Sequence, residues 1–301
     1  MRVTQSILSN TTLFNLNRNL SAMLAIQEKL STGRDINKPT DAPVRFSQAL
    51  TLRSAIDVGD QLKKNAEFAI TWLNTTDKAI SEGNEVLQRV RELAVRAASD
   101  TNSSDERNAI ANEIDQMSGH LRAIANSDFE GRYLFNGADT STKPYPDDAS
   151  DPTDTTRMQL VIGKAVTIQY NTLGVDVFGR TKAIGSDPAD PTNVFQLMSN
   201  LSAALRANDQ AAIEDLIPVI DKRQQVFLTE QSVVGGKVQR LELLRQRLSD
   251  QNVELSRFKS ETEDADMSKL ITDLNRQDSV YRASLAAGSR VIQPTLIDYL
   301  R

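Results

Sequence analysis

Hydrophobic residues near the start of the chain recur at alternating steps of three and four positions. Between residues 13 and 30 this spacing is that of a coiled-coil seam, in which one helical face packs against another helix. Gly33 follows where helices commonly end in a residue with positive φ. The pattern therefore predicts an amphipathic helix that ends near Gly33. Its seam consists of Leu13, Leu16, Leu20, Met23, Gln27 and Leu30.

A longer seam runs from Leu52 to Ala97, and none of its positions is charged. Pro39 and Pro43 separate it from the first helix, and Pro43 suits the first turn of a new helix, with Thr40 or Asp41 as its cap. At 1.5 Å per residue the segment would extend about 69 Å, which is longer than a compact domain needs. Several seam positions are Ala or Gly, so we expect a neighbouring helix to approach closely.

Helical spacing continues through most of the remaining chain. A third helix is expected to start at Ser104, because Asp105 and Glu106 favour a helix N-terminus. After it come a short helix over residues 194–207 and a long one whose seam is interrupted by Arg223, Glu230, Lys237 and Gln251. In that long helix Pro218 is expected to kink the start, and Gly235-Gly236 to weaken the middle. The final helix carries the seam Ile271, Leu274, Asp278, Tyr281, Leu285, Gly288 and Ile292.

Residues 138–193 have a different character, since five of the nine prolines of the chain lie there. Two β-rich runs flank Gly163-Lys164, a pair that suits the turn of a β-hairpin. The chain thus has the order helix, insert, helix. We predict a mainly α fold with a small, exposed β-rich insert.

Both ends of the chain are unusually poor in charge. Residues 3–27 contain only Arg18, and residues 279–297 contain only Arg282 and Arg290. A helix that faces water normally carries charge on its polar face, whereas an unpaired buried charge is costly. We therefore predict that neighbouring protein encloses both ends. The alternative is that the two ends pair within one monomer and leave one face in water.

Composition excludes several classes of function. Lysine and arginine number 35 against 40 aspartates and glutamates, and this net charge of −5 argues against nucleic-acid binding. Without cysteine there is no disulfide, thiolate metal site or thiol catalysis, and the single histidine, His120, excludes a two-imidazole site. We find no catalytic motif, and we predict no catalytic residues, no cofactor and no metal. The acidic cluster Asp147, Asp148, Asp151 and Asp154 favours a solvated loop over a calcium site.

Neither a membrane helix nor a secretory signal peptide is expected. No apolar run approaches the roughly 18 residues that a spanning helix needs. The N-terminal residues also lack the unbroken apolar core of a signal peptide. A different export route stays open.

Three stretches resemble the bacterial flagellin family, and most of all its hook–filament junction branch. Residues 30–50 read LSTGRDINKPTDAPVRFSQAL, similar to the family's Ser-(Ser/Thr)-Gly-(Lys/Arg) corner followed by Ile-Asn-Lys-Pro. Residues 106–137 read ERNAIANEIDQMSGHLRAIANSDFEGRYLFNG, and the Gly-Arg-Tyr-Leu-Phe-Asn-Gly ending is the most specific match. Residues 263–301 read EDADMSKLITDLNRQDSVYRASLAAGSRVIQPTLIDYLR. Position 42 departs from the pattern, because it is Ala where the junction branch often has Asp.

The resemblance implies a long antiparallel helical bundle made from the N- and C-terminal flanks. Residues 1–40 with 262–301 would form paired terminal helices in an inner layer, 41–137 with 194–261 a long helical bundle, and 138–193 the outer insert. The implied role is structural and not enzymatic: an adaptor at the hook–filament junction on which flagellin polymerises. Flagellin itself, or a secreted coiled-coil tip or binding protein, is the alternative.

The resemblance also implies a place and partners. The protein would pass through the flagellar type III export channel and stand in the extracellular flagellum. Hook-associated protein 1, flagellin and an export chaperone would be its partners, together with further copies in a ring or helical layer. No nucleic acid and no membrane are expected. We call the ten apolar residues predicted to be buried by neighbouring subunits the assembly seam: Leu13, Leu16, Leu20, Met23, Leu30, Ile271, Leu274, Tyr281, Leu285 and Ile292.

Overall fold

The computed structural model describes residues 2–99, 103–146, 154–163, 166–180 and 193–292. Within these ranges the chain is mainly helical, as the sequence predicts, and it has two small antiparallel sheets, of which only the one in the insert was expected. The elements are α1 (Arg2–Thr32), α2 (Pro43–Ala97), α3 (Ser104–Ala125), β1 (Asp128–Phe129), β2 (Arg132–Tyr133), β3 (Gln159–Gly163), β4 (Val166–Gln169), α4 (Gly174–Phe178), α5 (Val194–Arg206), α6 (Gln210–Glu263) and α7 (Met267–Ile292). Among the helices so described, none is long and apolar enough to span a bilayer.

Local residue chemistry explains where several helices begin and end. Gly33 follows α1 with φ of 70°, a left-handed conformation that glycine adopts without steric cost. Pro43 opens α2 as predicted. The cap of α3 is Ser103, one residue earlier than the predicted start, and its hydroxyl and the Glu106 carboxylate satisfy each other's backbone N–H. Pro218 lies inside α6, which continues through it.

The chain divides into two compact units. Residues 1–59 and 250–301 form one, which we call the terminal unit, and residues 60–249 form the other, the central unit. The three-part division expected from the sequence stays a prediction.

The central unit holds the hydrophobic core, which extends from Ala66 to Leu241 along the chain. The α2 face that enters it is rich in small residues, including the fully buried Ala69 and Ala94. A Cβ atom added to Gly83 would lie only 2.6 Å from Cε1 of Phe227 on α6. The predicted close approach of a second helix to the long seam is therefore confirmed.

The insert contributes aromatic side chains to this core. The ring centroids of Tyr170 and Trp72 are 5.8 Å apart, and those of Phe178 and Phe227 are 5.5 Å apart, both pairs edge to face. Tyr145 is fully buried as well. The expectation of an exposed module is therefore wrong for these residues, because they pack against the long helices. Part of the signal was present, because Tyr170 stands two residues after Ile168 and Phe178 directly follows Val177. The local pattern could not show, however, which helix these residues meet.

The predicted hairpin is present as β3 and β4. Its ladder closes with Gly163 opposite Val166, after a register shift that follows Val161. The connecting residues 164 and 165, which include Lys164 of the predicted turn, lie outside the described residues.

Two buried arginines bind backbone carbonyls of the central unit. Arg107 donates from Nε to the Ala97 carbonyl at 3.2 Å and from Nη2 to the Ser99 carbonyl at 3.3 Å, and its Nη1 contacts Asn208. A cation at this place satisfies the free carbonyls where α2 ends. Arg223, an interruption of the predicted seam, donates to the Val177 carbonyl at 3.3 Å, near the end of α4.

Candidate assembly interface on the terminal helices

Helices α1 and α7 pair in the terminal unit through small and uncharged polar groups. Asn19 donates from Nδ2 to the Ser284 hydroxyl at 2.9 Å, and Gln277 donates from Nε2 to the Asn19 carbonyl at 3.2 Å. At Gly288 a Cβ atom would lie 3.2 Å from Cγ2 of Thr12, so the two helices come close there. The two chain ends thus pair within one chain, and the polar residues that replace charge in their sequences make part of that pairing.

This pairing leaves the assembly seam open. Among the side chains described in α1 and α7, no hydrophobic one is buried. Leu13, Ile271 and Leu285 are 49%, 51% and 44% exposed. The side chain of Ile292 lies outside those described. The other members are half-buried: Leu16, Leu20, Met23, Leu30, Leu274 and Tyr281.

Sequence reasoning missed a second group of apolar residues on α1. Phe14 is 68% exposed, and Ile7, one heptad before it, is 58% exposed. Leu24 is also more than half exposed. These residues lie off the single seam that the spacing indicated. One feature of the sequence could have indicated these residues. The faces of α1 other than the seam also lack charge, so the helix has no face that is clearly suited to solvent.

The corner after α1 pairs with the segment that joins α6 to α7. The amide of Asp35 donates to the Glu263 carbonyl at 2.8 Å, and the amide of Ala265 donates to the Gly33 carbonyl at 3.0 Å. Ile36 is buried in this corner, at 3% exposure. The segment containing Glu263, Asp264 and Asp266 is thus a joint between helices.

A buried carboxylate holds this joint. Glu263 is almost fully buried, and Arg53 Nη2 donates to its Oε2, while Arg34 Nε lies 3.6 Å from its Oε1. Two cations compensate one carboxylate here, which satisfies the rule that a buried charge must be paired. Residues 210 positions apart in the chain meet in this contact, so no local sequence pattern reveals it.

A second carboxylate, Asp35, lies beside that joint. Lys29 Nζ donates to Asp35 Oδ1 at 2.8 Å, and Arg45 Nη1 donates to Oδ2 at 3.1 Å. The hydrogen bond from Lys29, more than its charge or that of Arg45, lowers the pKa of Asp35. Arg45 also donates from Nη2 to the Thr262 carbonyl at 2.7 Å. The charged residues of the Leu30–Leu50 motif therefore fix the geometry of the corner.

Asp41 does not cap α2 in the way predicted. Its Oδ2 accepts from the preceding backbone amides of Asn37 at 3.1 Å and Lys38 at 3.0 Å. The amide of Lys38, followed by that of Asn37, lowers the pKa of Asp41. The carboxylate thus closes the corner loop, because a turn offers free N–H groups on the N-terminal side of Asp41.

Within the described residues, no group of three histidine, cysteine, aspartate or glutamate side chains is placed to hold a metal ion. Of the acidic cluster, Asp147, Asp148 and Asp151 lie outside those residues. The Asp154 carboxylate accepts backbone N–H bonds, including 2.9 Å bonds from Ala138 and Asp139. The terminal unit therefore offers exposed apolar side chains on two helices and a charged joint.

Comparison with known proteins places these features in a family context. Residues 3–140 match the model of the bacterial flagellin N-terminal helical region. Flagellin of Bacillus subtilis is 26% identical over 299 residues, which cover 95% of this chain and 94% of that protein. Flagellar hook-associated protein 3 of Escherichia coli is 26% identical over 278 residues, covering 86% and 87%.

The fold is shared with a solved structure. A Vibrio parahaemolyticus protein described as a flagellar hook-associated protein superposes with a TM-score of 0.67 at 19% identity. The match covers 74% of this chain and all of that one. At this identity the likeness establishes the fold.

Proposed function

We propose that this chain, whose residues 3–140 match the model of the bacterial flagellin N-terminal helical region, is the structural adaptor on which flagellin polymerises at the hook–filament junction. Its relatives are structural components of the bacterial flagellum and not enzymes, and the hook-associated proteins among them support the junction role. The observation that carries the proposal is the open assembly seam on α1 and α7.

Burial of this seam supplies the driving force for assembly. Complete burial of one large apolar side chain contributes about 1.5–3 kcal/mol. Leu13, Ile271 and Leu285 are about half exposed in the single chain, so neighbouring subunits that cover them gain about half of that free energy for each. Asparagine and serine in α1 are weak helix formers. The ends of a free chain are therefore loosely held, and enclosure by neighbours orders them, as in coupled folding and binding.

The expected partners follow from the same proposal. Further copies of the chain form a ring or helical layer, hook-associated protein 1 lies on the hook side, and flagellin lies on the filament side. An export chaperone covers the C-terminal helix until the protein leaves the cell through the flagellar type III channel. The mature protein is then extracellular. The exposed apolar residues of α7, such as Ile271 and Leu285, support a need for such cover before assembly.

A filament subunit, flagellin itself, is the second candidate. The 26% identity with Bacillus subtilis flagellin over nearly the whole chain favours it. The two roles differ in a strain that lacks this protein. Loss of the junction adaptor leaves hooks without filaments and flagellin in the medium, whereas loss of a filament subunit leaves no flagellin to be released. Electron microscopy and immunoblotting of the medium separate the two candidates.

A pair of variants tests the assembly role in that strain. Leu13→Asp places a charge on the assembly seam in α1, and Leu228→Asp places one at a similarly exposed position in the central unit, 47% against 49%. We expect both proteins to be exported and to unfold at the same urea concentration. Only Leu13→Asp should fail to restore filaments. Normal filaments with Leu13→Asp would contradict burial of the seam.

Hydrogen exchange tests the loosely held ends directly. In the dilute monomer, amides of residues 7–30 and 267–289 should exchange much faster than those of the core between Ala66 and Leu241. Equal protection in both regions would contradict ordering by neighbours. A variant lacking the last 30 residues should keep the core protected but should not join the hook tip.

A further inference from the structure

A cleft in the central unit, remote in sequence from the assembly seam, has no part in the proposed assembly role. It lies between the β3–β4 hairpin and α6 and has a volume of about 480 Å³. Val233, Gly236, Lys237 and Arg240 form the helical wall, at the spacing of three and four that places residues on one face of a helix. Strand residues form the opposite wall.

The glycine in this wall has no structural explanation. Gly235 and Gly236 lie in the middle of α6, and a Cβ atom added to either would meet nothing within 4 Å. Neither has a positive φ. Each costs about 1 kcal/mol relative to alanine in a helix. Gly236 lines the cleft and Gly235 does not, so the missing side chain at position 236 keeps the cleft open.

Two cations, Lys237 and Arg240, line this open space, and Arg240 is exposed. Within the described residues, neither lies within ion-pair distance of a carboxylate. Lys237 is half-buried, which removes part of its ammonium from water. A desolvated cation that lacks a partner favours an anion at its side.

The charged groups around Lys237 also leave an excess of positive charge at the cleft. Burial lowers the pKa of Lys237, and Arg157 lowers it further, while Glu230 and Asp176 act in the opposite direction. Asp176 is already engaged by Arg157 at 2.9 Å. The cleft thus has positive charge in excess at its helical wall.

The strand wall supplies neutral hydrogen-bonding groups. Gln159 and Gln169 are cross-strand partners, and the Thr167 hydroxyl donates to Gln159 Oε1 at 3.2 Å. Amides and hydroxyls both donate and accept, so they suit the polar body of a ligand, whereas Lys237 and Arg240 suit its charge. Five of the eight lining residues are exposed, so the cleft is open to solvent along one side. Its volume is still large enough for a small molecule.

We propose that this cleft binds a small polar carboxylate of about dipeptide size, with Lys237 and Arg240 on the carboxylate and the glutamines and threonine on the remainder. The same chemistry is offered by a free small carboxylate and by an acidic segment of another protein. The site does not depend on the assembly role, because none of its residues belongs to α1, α7 or their joint.

Isothermal titration of the full chain with acetyl-Asp-Glu-amide tests the proposal. Binding should weaken at least about tenfold for the uncharged acetyl-Asn-Gln-amide and for the Lys237→Gln and Arg240→Gln variants, because a charge-assisted contact is lost. Arg245→Gln, an exposed cation on α6 outside the cleft, is the matched control and should change binding little. Tighter binding of citrate than of the dipeptide would favour a free small molecule, and the reverse order would favour an acidic segment.

The two glycines provide the decisive comparison. Gly236→Leu should fill the cleft and abolish binding, whereas Gly235→Leu should not, although both lie in the same helical turn. Both variants should fold, because both positions face open space, and circular dichroism checks this. Equal binding by the two variants, or a loss with Arg245→Gln as large as with Lys237→Gln, would overturn the proposal.

Discussion

The contact between Gly83 and Phe227 predicts an unusual response to a helix-stabilising substitution. Gly→Ala in a helix interior normally raises stability by about 1 kcal/mol, because alanine has the higher helix propensity. In Gly83→Ala the new methyl would lie 2.6 Å from Phe227 Cε1 and 3.4 Å from Leu121 Cδ1. Both neighbours are buried, so neither ring nor side chain has free space to move into. Overpacking of this kind costs about 1–3 kcal/mol.

Gly235→Ala is the matched control for this substitution. It is also in the interior of a long helix, but its new methyl meets nothing within 4 Å. The propensity gain is common to both variants, so the difference between their free energies of unfolding isolates the overpacking cost. We expect Gly235→Ala to be more stable than the parent by up to about 1 kcal/mol. Gly83→Ala should lie about 1–3 kcal/mol below the control.

Urea unfolding followed by fluorescence measures this difference. Trp72 is the single tryptophan and is 1% exposed in the core of the central unit, so its signal reports the unit that contains both glycines. In a Phe227→Leu background the clashing ring atoms are gone, and Gly83→Ala should then recover most of its propensity gain. Equal stabilisation by the two alanine variants in the parent background would refute close packing at Gly83.

Three further substitutions test charged groups. Burial raises the pKa of Glu230, so the ionised carboxylate opposes folding. Glu230→Gln should therefore raise the midpoint of urea unfolding at pH 7. This increase in stability should shrink as the pH falls through the raised pKa of the folded state and should vanish below the pKa of the unfolded state, near 4.3. A gain that grows on acidification would contradict this sign. Arg107→Met removes the cation that binds carbonyls at the end of α2 and should lower the free energy of unfolding by about 3 kcal/mol, whereas no change would deny its capping role. Glu263→Gln should speed hydrogen exchange in residues 30–45 and 258–275 but not in residues 66–98, because only the joint loses its buried carboxylate.

The main features of the helices could be predicted from the sequence. Three–four spacing located the long helices, and Gly33 and Pro43 marked real boundaries, because these signals act within a few residues of chain. The closeness of the helices at Gly83 followed from the small size of the seam residues. Local chemistry is sufficient for such features.

Contacts between distant residues were not accessible in this way. Arg53 meets Glu263 across 210 positions, and Arg107 contacts Asn208 across 101, with no repeated pattern to connect them. The spacing also identified one apolar face on α1 and one on α7. It could not show how much of each face the other helix buries. That degree depends on packing geometry, and it is the feature on which the proposed assembly rests.

The aromatic residues that the insert sends into the core have a consequence for engineering. Removing the whole stretch from 138 to 193 to obtain a minimal rod would uncover Trp72 and Phe227, because Tyr170 and Phe178 would no longer cover them. Such a deletion would expose apolar core surface and yield an aggregation-prone protein instead of a stable shortened one. A foreign peptide for surface display is better spliced in at the tip of the β3–β4 hairpin, where Val161 and Val166 already face solvent.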